Sequence, residues 1–468
     1  MGGTSSGNWI RSLALLLTAG FLSLGFTPLQ AAPAPRPFTV ESYDVNIQVD
    51  PAQRHLNGEE SIRVHSQGDE PVSVLDLDAG GLEIASVEEG HVPQWFERKG
   101  ETLLVVLANP LRPEEHRTIT LRYRAGPSDG LRFFADQIYG SAPESWMPCN
   151  DRPGERASLH LVLASPSDFQ AAASGRLIST READGHSVTE WQLDQALPPS
   201  LFGFVAGAFA ESTSTAEGVK LRVLGAGPEV FDPTTAALHY LAERTGKSYP
   251  GPIYTQVFVH GDAIRSLAGG LVFLPESCAQ GVAKDADKTW LLARALAGQW
   301  YGVGIVPKDW SDVWLSEGIS AFLAETFLGR RLGDQAEQAQ IEHSRQIYNR
   351  LRTEGKDRPL SSAEWTTAED AGGDISLHKG ALFLQLVHEI VGDAAFWERL
   401  QMYTSSQWGQ AAASEDFQNA YAGVAAQTAG KRGAKRAGKN EVKNLNDLFN
   451  AWVYGIPTGT PKGKRGSQ

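Results

Sequence analysis

The most informative stretch for metal or acid–base chemistry, Ala293 to Glu325, reads ARALAGQWYGVGIVPKDWSDVWLSEGISAFLAE, and it informs by what it lacks. A helix that holds zinc in the H-E-x-x-H manner carries two imidazoles four residues apart, so that both face one ion. A glutamate between them takes a proton from the metal-bound water. At that spacing this stretch has Arg294, Ala295 and Gly298, and a carboxylate, Glu317, follows nineteen residues after Gly298. One carboxylate cannot hold zinc against water, because zinc sites use three or four protein ligands. Ala295 has no group that takes a proton. Arg294 offers instead a planar guanidinium. Ligand atoms around a zinc ion lie within about 4 Å of one another, a gap an arginine fork can bridge in bidentate fashion. If the helices carrying Arg294 and Glu317 face each other, an ion pair between the two side chains is expected, the other reading being an arginine extended to the mouth of a cleft.

The remaining candidates are scattered. His260, His378, His388 and Asp312 could in principle build a substitute metal site beside Glu317, but an isolated histidine is more often a satisfied structural residue. His388-Glu389, in LQLVHEIVGD, lacks a second histidine four residues on. The two cysteines, Cys149 and Cys278, have no neighbouring histidine to activate them, and two cysteines do not make a disulfide framework. They are expected as unpaired thiols.

The elements that must position these residues divide the chain. From Phe38 to about Glu211, short runs alternate apolar and polar residues between Pro, Gly and Asp. Tyr43–Val49, Thr118–Tyr123 and Leu159–Leu163 show this best, and the pattern predicts half-buried antiparallel strands. An all-β domain over residues 35–215 is expected, then a mainly α domain over 216–457. The latter opens with a strand in Gly218–Pro228 and a helix over Thr234–Arg244; Val257–Leu274 reads as mixed strand and loop. Helices over Lys288–Tyr301 and Leu315–Leu328 would carry Arg294 and Glu317. On the first, Arg294 and Gly298 stack on one face, since i and i+4 side chains lie one above the other. Glycine there lowers helix propensity by about 1 kcal/mol relative to alanine.

Length and composition set the wider frame. The chain has 468 residues, 41% hydrophobic and 21% charged, enough for two or three domains with proper cores. Residues 1–34 read as a cleaved secretory signal. Arg11 is its only positive side chain, Leu13–Phe26 is apolar, and Leu29-Gln30-Ala31 or Gln30-Ala31-Ala32 offers a cleavage site. An apolar run of that length is short for a membrane span. A secreted or periplasmic location is expected. Beyond residue 430, nine basic residues face Glu441 and Asp447 alone, a local +7 that leaves −20 on the rest of a chain of net charge −13. A basic insert over 429–443 and a flexible tail over 458–468 are expected. The insert is either a solvated loop or a patch drawn to an anionic surface such as a membrane or cell-wall polymer. Nucleic acid is not expected as a partner for an acidic exported chain.

Several stretches, in order, resemble the aminopeptidase N family, the gluzincin zinc aminopeptidases that include leukotriene hydrolase. Trp146-Met147-Pro148-Cys149-Asn150-Asp151-Arg152-Pro153 is similar to the family's F-P-C-x-D-x-P segment, and Ser266–Ser277 stands where the family has its G-x-M-E-N loop. Gln299-Trp300-Tyr301-Gly302 continues as the family does after its second histidine. Trp314-Leu315-Ser316-Glu317-Gly318 is similar to W-L-N-E-G, and Leu377-His378-Lys379-Gly380 to Y-x-K-G. Phe396-Trp397 and Phe449–Val453 match the family's closing helices. The resemblance implies a saddle-shaped all-β N-terminal domain and a thermolysin-like peptidase domain, with no superhelical C-terminal domain. It also implies that Glu317 stands at the third zinc ligand, as a vestigial one. Arg294 and Gly298 then stand at the histidines, Ala295 at the base and Leu377 at the oxyanion tyrosine. Gly269, Gly270, Leu271 and Glu276 fall in the substrate-binding loop, with Trp300 near the cleft. The family's second-shell glutamate falls on Ala324, with Glu325 one residue on. These replacements lead to an expected non-catalytic, cofactor-free homologue that keeps the cleft for a peptide or protein ligand. The alternative is an active zinc aminopeptidase with substitute ligands around Glu317.

Overall fold

The structure is a computed structural model that describes residues 36–263, 266–422 and 445–456. The signal-like leader, the basic insert and the terminal tail expected from the sequence lie outside the described residues. Among the described residues no helix is long and apolar enough to cross a membrane.

The N-terminal part is built from strands whose alternation is read directly in their burial. In β1 (Phe38–Asp50), Tyr43, Val45, Ile47 and Val49 are buried while Asp44, Asn46 and Gln48 face out. β1 pairs antiparallel with β2 (His55–Ser66) and parallel with the strand Ala157–Pro166, at the centre of an eight-stranded sheet. The three strand segments expected here fall inside the strands Phe38–Asp50, His116–Ala125 and Ala157–Pro166. A three-stranded and a four-stranded sheet share the same apolar core, which continues into the second part through Val257, Leu271, Phe273 and Val303. Cys149 is fully buried in this core, and both cysteines are free thiols.

The second part opens on a five-stranded sheet made by Glu211–Ala216, Val219–Leu224, Ile253–Val259, Leu271–Pro275 and Leu267–Ala268. The expected boundary at 215/216 therefore cuts the end of its first strand. Helix α1 (Phe231–Thr245) connects the strands Val219–Leu224 and Ile253–Val259, and after the sheet come α2 (Ala286–Gly298), α3 (Trp314–Leu332) and α4 (Asp334–Thr353). Asp285 caps α2 by accepting a hydrogen bond from the Lys288 amide. The expected helix over Lys288–Tyr301 is α-helical only to Gly298. Gln299–Gly304 continues as a wider turn, with Tyr301 at φ −108°, ψ 33°. α2 and α3 pack side by side around a core with Leu296, Trp300, Trp314 and Phe322.

Candidate functional site

Helices α2 and α3 bring Arg294 and Glu317 together. Nη2 of Arg294 donates to Oε2 of Glu317, with the two side chains 20% and 24% exposed. Glu317 lies in the first turn of α3, where the helix dipole favours a carboxylate. The expected ion pair is present, but the expected bidentate grip is not: one nitrogen makes the bond, and Nε is enclosed without a partner. The guanidinium carbon lies 5.8 Å from the Trp290 ring centre, one turn back on α2, which steadies it by cation–π attraction.

Beside this pair sits a side chain that the sequence did not single out. Leu267 comes from a tight hairpin, Leu267–Ala268 against Leu271–Pro275, whose turn uses Gly269 and Gly270, the latter at φ +76°. The buried Gln299 side chain clamps the hairpin: its Nε2 donates to the Ala268 carbonyl at 2.9 Å and its Oε1 accepts from the Gly270 amide at 3.0 Å. Leu267 is thereby laid over two glycines of the opposite wall. A Cβ at Gly298 would meet Leu267 Cδ2 at 3.1 Å, and one at Gly302 would meet it at 2.5 Å. The only hint in the sequence is the i, i+4 spacing of those glycines, a smooth floor for a bulky neighbour.

The result is a cavity of about 350 Å³ lined by Ser266, Leu267, Arg294, Trp310, Ser316 and Glu317 among others. Several residues expected in a substrate loop are elsewhere, because the hairpin turns their side chains or backbone away. Gly269 and Gly270 line a different cavity, about 240 Å³, with Tyr249 and Leu197. Leu271 is fully buried in its sheet. Glu276 points to His260, whose Nδ1 it meets at 2.6 Å while Asp136 holds Nε2 at 3.1 Å. Trp300 is fully buried, its indole N–H donating to the Lys247 carbonyl at 2.9 Å, and belongs to the core. Ala295 is buried within the helix packing, and Leu377 lies partly buried against the helical core.

The potential substitute ligands each have their own partner, and none bonds to Glu317. His260 is taken by its two carboxylates, His388 by Asp393 at 2.9 Å, and Asp312 by the Ser414 hydroxyl and amide at 2.7 and 2.8 Å. His378 meets the Ser344 hydroxyl at 3.2 Å, and burial lowers its pKa to about 4, so it is neutral at physiological pH. The same hydroxyl donates at 2.9 Å to Glu325, which Gln385 also reaches at 3.2 Å. Burial raises the pKa of Glu325 to about 7. Glu325 thus bonds to Ser344 of α4 and to Gln385, and not to the Arg294–Glu317 pair.

An all-β domain followed by a helical domain, with a cleft between a paired set of helices and a hairpin, defines a two-domain metallopeptidase fold. Residues 39–201 match the peptidase M1 N-terminal domain and residues 231–452 the peptidase family M1 domain. The chain belongs to the M1, or aminopeptidase N, family. It is 23% identical over 354 residues to aminopeptidase Ey of Gallus gallus, covering 66% of this chain and 36% of that protein. It is 23% identical over 424 residues to aminopeptidase B of Rattus norvegicus, covering 79% of this chain and 62% of that protein. The chain thus spans less than two thirds of these curated relatives. The solved M1 zinc metallopeptidase from Deinococcus radiodurans superposes with a TM-score of 0.70 at 22% identity, over 92% of this chain and 96% of that one. The same fold, at TM-score 0.70, is seen in a variant of that enzyme bound to a Tyr-Ser-Ala substrate.

Proposed function

We propose that this chain is an exported, non-catalytic member of the M1 family whose former active-site cleft binds a peptide or protein segment. One observation carries the reading: the Arg294–Glu317 pair, with Leu267 laid over Gly298, stands where the family's metal chemistry is placed by the motif spacing. The donor set does not fit zinc. A guanidinium has no lone pair to give at any accessible pH, Ala295 and Gly298 have no donor, and a single carboxylate falls short of the three protein ligands of a catalytic zinc site. The acid–base and oxyanion roles lack groups as well, since Ala295 cannot carry a proton and Leu377 has no hydrogen to donate. What remains is a cavity whose lining mixes apolar Leu267 and Trp310 with polar Ser266, Ser316 and the ion pair. That combination suits a short peptide backbone with an apolar side chain. The composition of residues 1–34 supports export.

The names of the relatives favour the other reading, an active zinc aminopeptidase with substitute ligands around Glu317. Zinc content, turnover of aminoacyl fluorogenic substrates and binding of a dye-labelled pool of short random peptides together decide between them. We expect peptide binding that Ser316→Trp weakens by filling the cavity, with no turnover. Zinc that is lost on Glu317→Gln, together with chelator-sensitive turnover, would overturn the proposal. Absence of peptide binding would remove the ligand assignment.

A further inference from the structure

We infer that the N-terminal sheet carries a zinc-class metal site formed by Glu41, His65 and His116, far from the cleft in sequence and independent of it. The site is created by strand register. His65 on β2 lies directly opposite His116 on the strand His116–Ala125, and opposite Thr39 on β1. Val40 and Val64, the neighbouring pair, point into the core, so the histidines share the outer face. Regular alternation cannot then keep Tyr43 inside as well. The register of β1 slips between Val40 and Ser42, leaving Glu41 as the extra residue of a β-bulge. Bulges re-aim side chains, and this one aims the Glu41 carboxylate at both imidazoles.

The geometry is that of a ligand set. Glu41 Oε2 lies 3.0 Å from His116 Nδ1, and Glu41 Oε1 lies 3.9 Å from His65 Nδ1. All three donor atoms fall within 4.8 Å of one another, and the two rings stack at 5.2 Å. Donors bound to a tetrahedral ion at about 2.0–2.1 Å stand roughly 3.3 Å apart; Glu41 offers one oxygen at 3.0 Å from His116 and the other at 3.9 Å from His65, so a small shift of the carboxylate brings the three donors round one ion. The independent sign is His65 Nδ1, which is enclosed and has no hydrogen-bond partner. At 3.9 Å the carboxylate is too far to accept its proton, whereas a shared cation would satisfy it. Two imidazoles and one carboxylate suit zinc, cobalt, nickel or copper and not magnesium or calcium, which prefer all-oxygen shells. Arg63 Nε also donates to Glu41 Oε2, at 2.8 Å, so it competes with the ion for one carboxylate oxygen and leaves Oε1 available.

The test uses the full-length protein stripped with chelator and titrated with zinc chloride by calorimetry, with cobalt chloride as a spectroscopic probe. Stoichiometric zinc binding is expected, with cobalt giving visible bands of a low-symmetry N/O site. His65→Gln with His116→Gln should weaken zinc binding roughly 100-fold or more, whereas Glu317→Gln should leave it unchanged. Histidine-ring ¹H–¹⁵N spectra of the unmutated protein give a readout free of folding effects: two Nδ1 resonances should shift with the first equivalent of zinc. Absence of zinc binding at micromolar concentrations, binding that survives the double substitution, or Nδ1 resonances that stay in place would overturn the site. Zinc lost only on Glu317→Gln would also overturn it, by placing the ion in the cleft.

Discussion

Two regions of this molecule put a carboxylate against nitrogen, and they have opposite capacities. In the cleft, Glu317 meets the guanidinium of Arg294 on facing helices. On the N-terminal sheet, Glu41 meets the imidazoles of His65 and His116 across three strands. A guanidinium is a permanent cation with five donors and no lone pair, so it fills a metal's place electrostatically and closes it to metals. A neutral imidazole keeps one lone pair and invites a metal. The difference teaches that conserving a fold's acid says little about its chemistry until the nitrogen opposite is known.

The strongest attempt to break this comparison is to give the cleft what the sheet has. Arg294→His, Ala295→Glu and Gly298→His restore the motif, yet the new Cβ at 298 would already stand 3.1 Å from Leu267. We expect this triple variant to lose about 1–3 kcal/mol to overpacking and to gain little zinc. Adding Leu267→Ala should tighten Glu317-dependent zinc binding on the order of 100-fold over the triple variant. Zinc titrations in a His65→Gln, His116→Gln background measure this without interference from the sheet.

A third acid sharpens the contrast, because among the described residues Glu325 takes its hydrogen bonds from a hydroxyl and an amide. Burial raises its pKa from 4.5 to about 7. The folded state therefore holds this proton where the unfolded chain releases it. Stability from this group is full below pH 4.5 and falls as pH rises towards about 7. Relative to Glu325→Gln, the wild-type chain should lose about 3 kcal/mol across that window, at about 1.4 kcal/mol per pKa unit. Urea unfolding at several pH values would show it, and a flat difference would refute it.

In the cleft itself, Arg294→Met strands Glu317 without its charged donor and should cost about 1.5–3 kcal/mol. Adding Glu317→Gln should recover part of that loss, with a coupling of about 1 kcal/mol in a double-mutant cycle of urea unfolding. Additive losses would mean the two side chains do not depend on each other. The smallest effect belongs to the sheet. Arg63 is 57% exposed, so Arg63→Gln should change stability by no more than about 0.5 kcal/mol. The same change should raise zinc affinity a few-fold by freeing Glu41 Oε2, as a calorimetric titration would show.

Much of the fold was legible. The period-two run Tyr43–Val49 and the flanking turn residues placed β1, and the resemblance of Trp314–Gly318 to a family motif pointed to Glu317 opposite Arg294. What was not legible follows from long-range packing. Trp300 sits in a stretch that resembles a cleft wall, yet its indole is buried against Tyr249 and bonded to Lys247. Glu276 falls in the substrate-loop segment, yet His260 draws it away. Leu267 has no chemistry of its own, and only the Gln299 clamp on its hairpin brings it over Gly298. Glu41 reads as an ordinary polar residue of an alternating strand until the bulge turns it beside two histidines.

The sequence by itself determined the two-domain order, the helix pair and the absence of imidazoles at Arg294 and Gly298, because periodicity and residue identity are local properties. The tertiary structure alone decided that Leu267 occupies the floor beside the ion pair and that three strands collect Glu41, His65 and His116. Both depend on which segments far apart in the chain pack together, and side-chain direction there is set by register and contact rather than by the residues' own preferences.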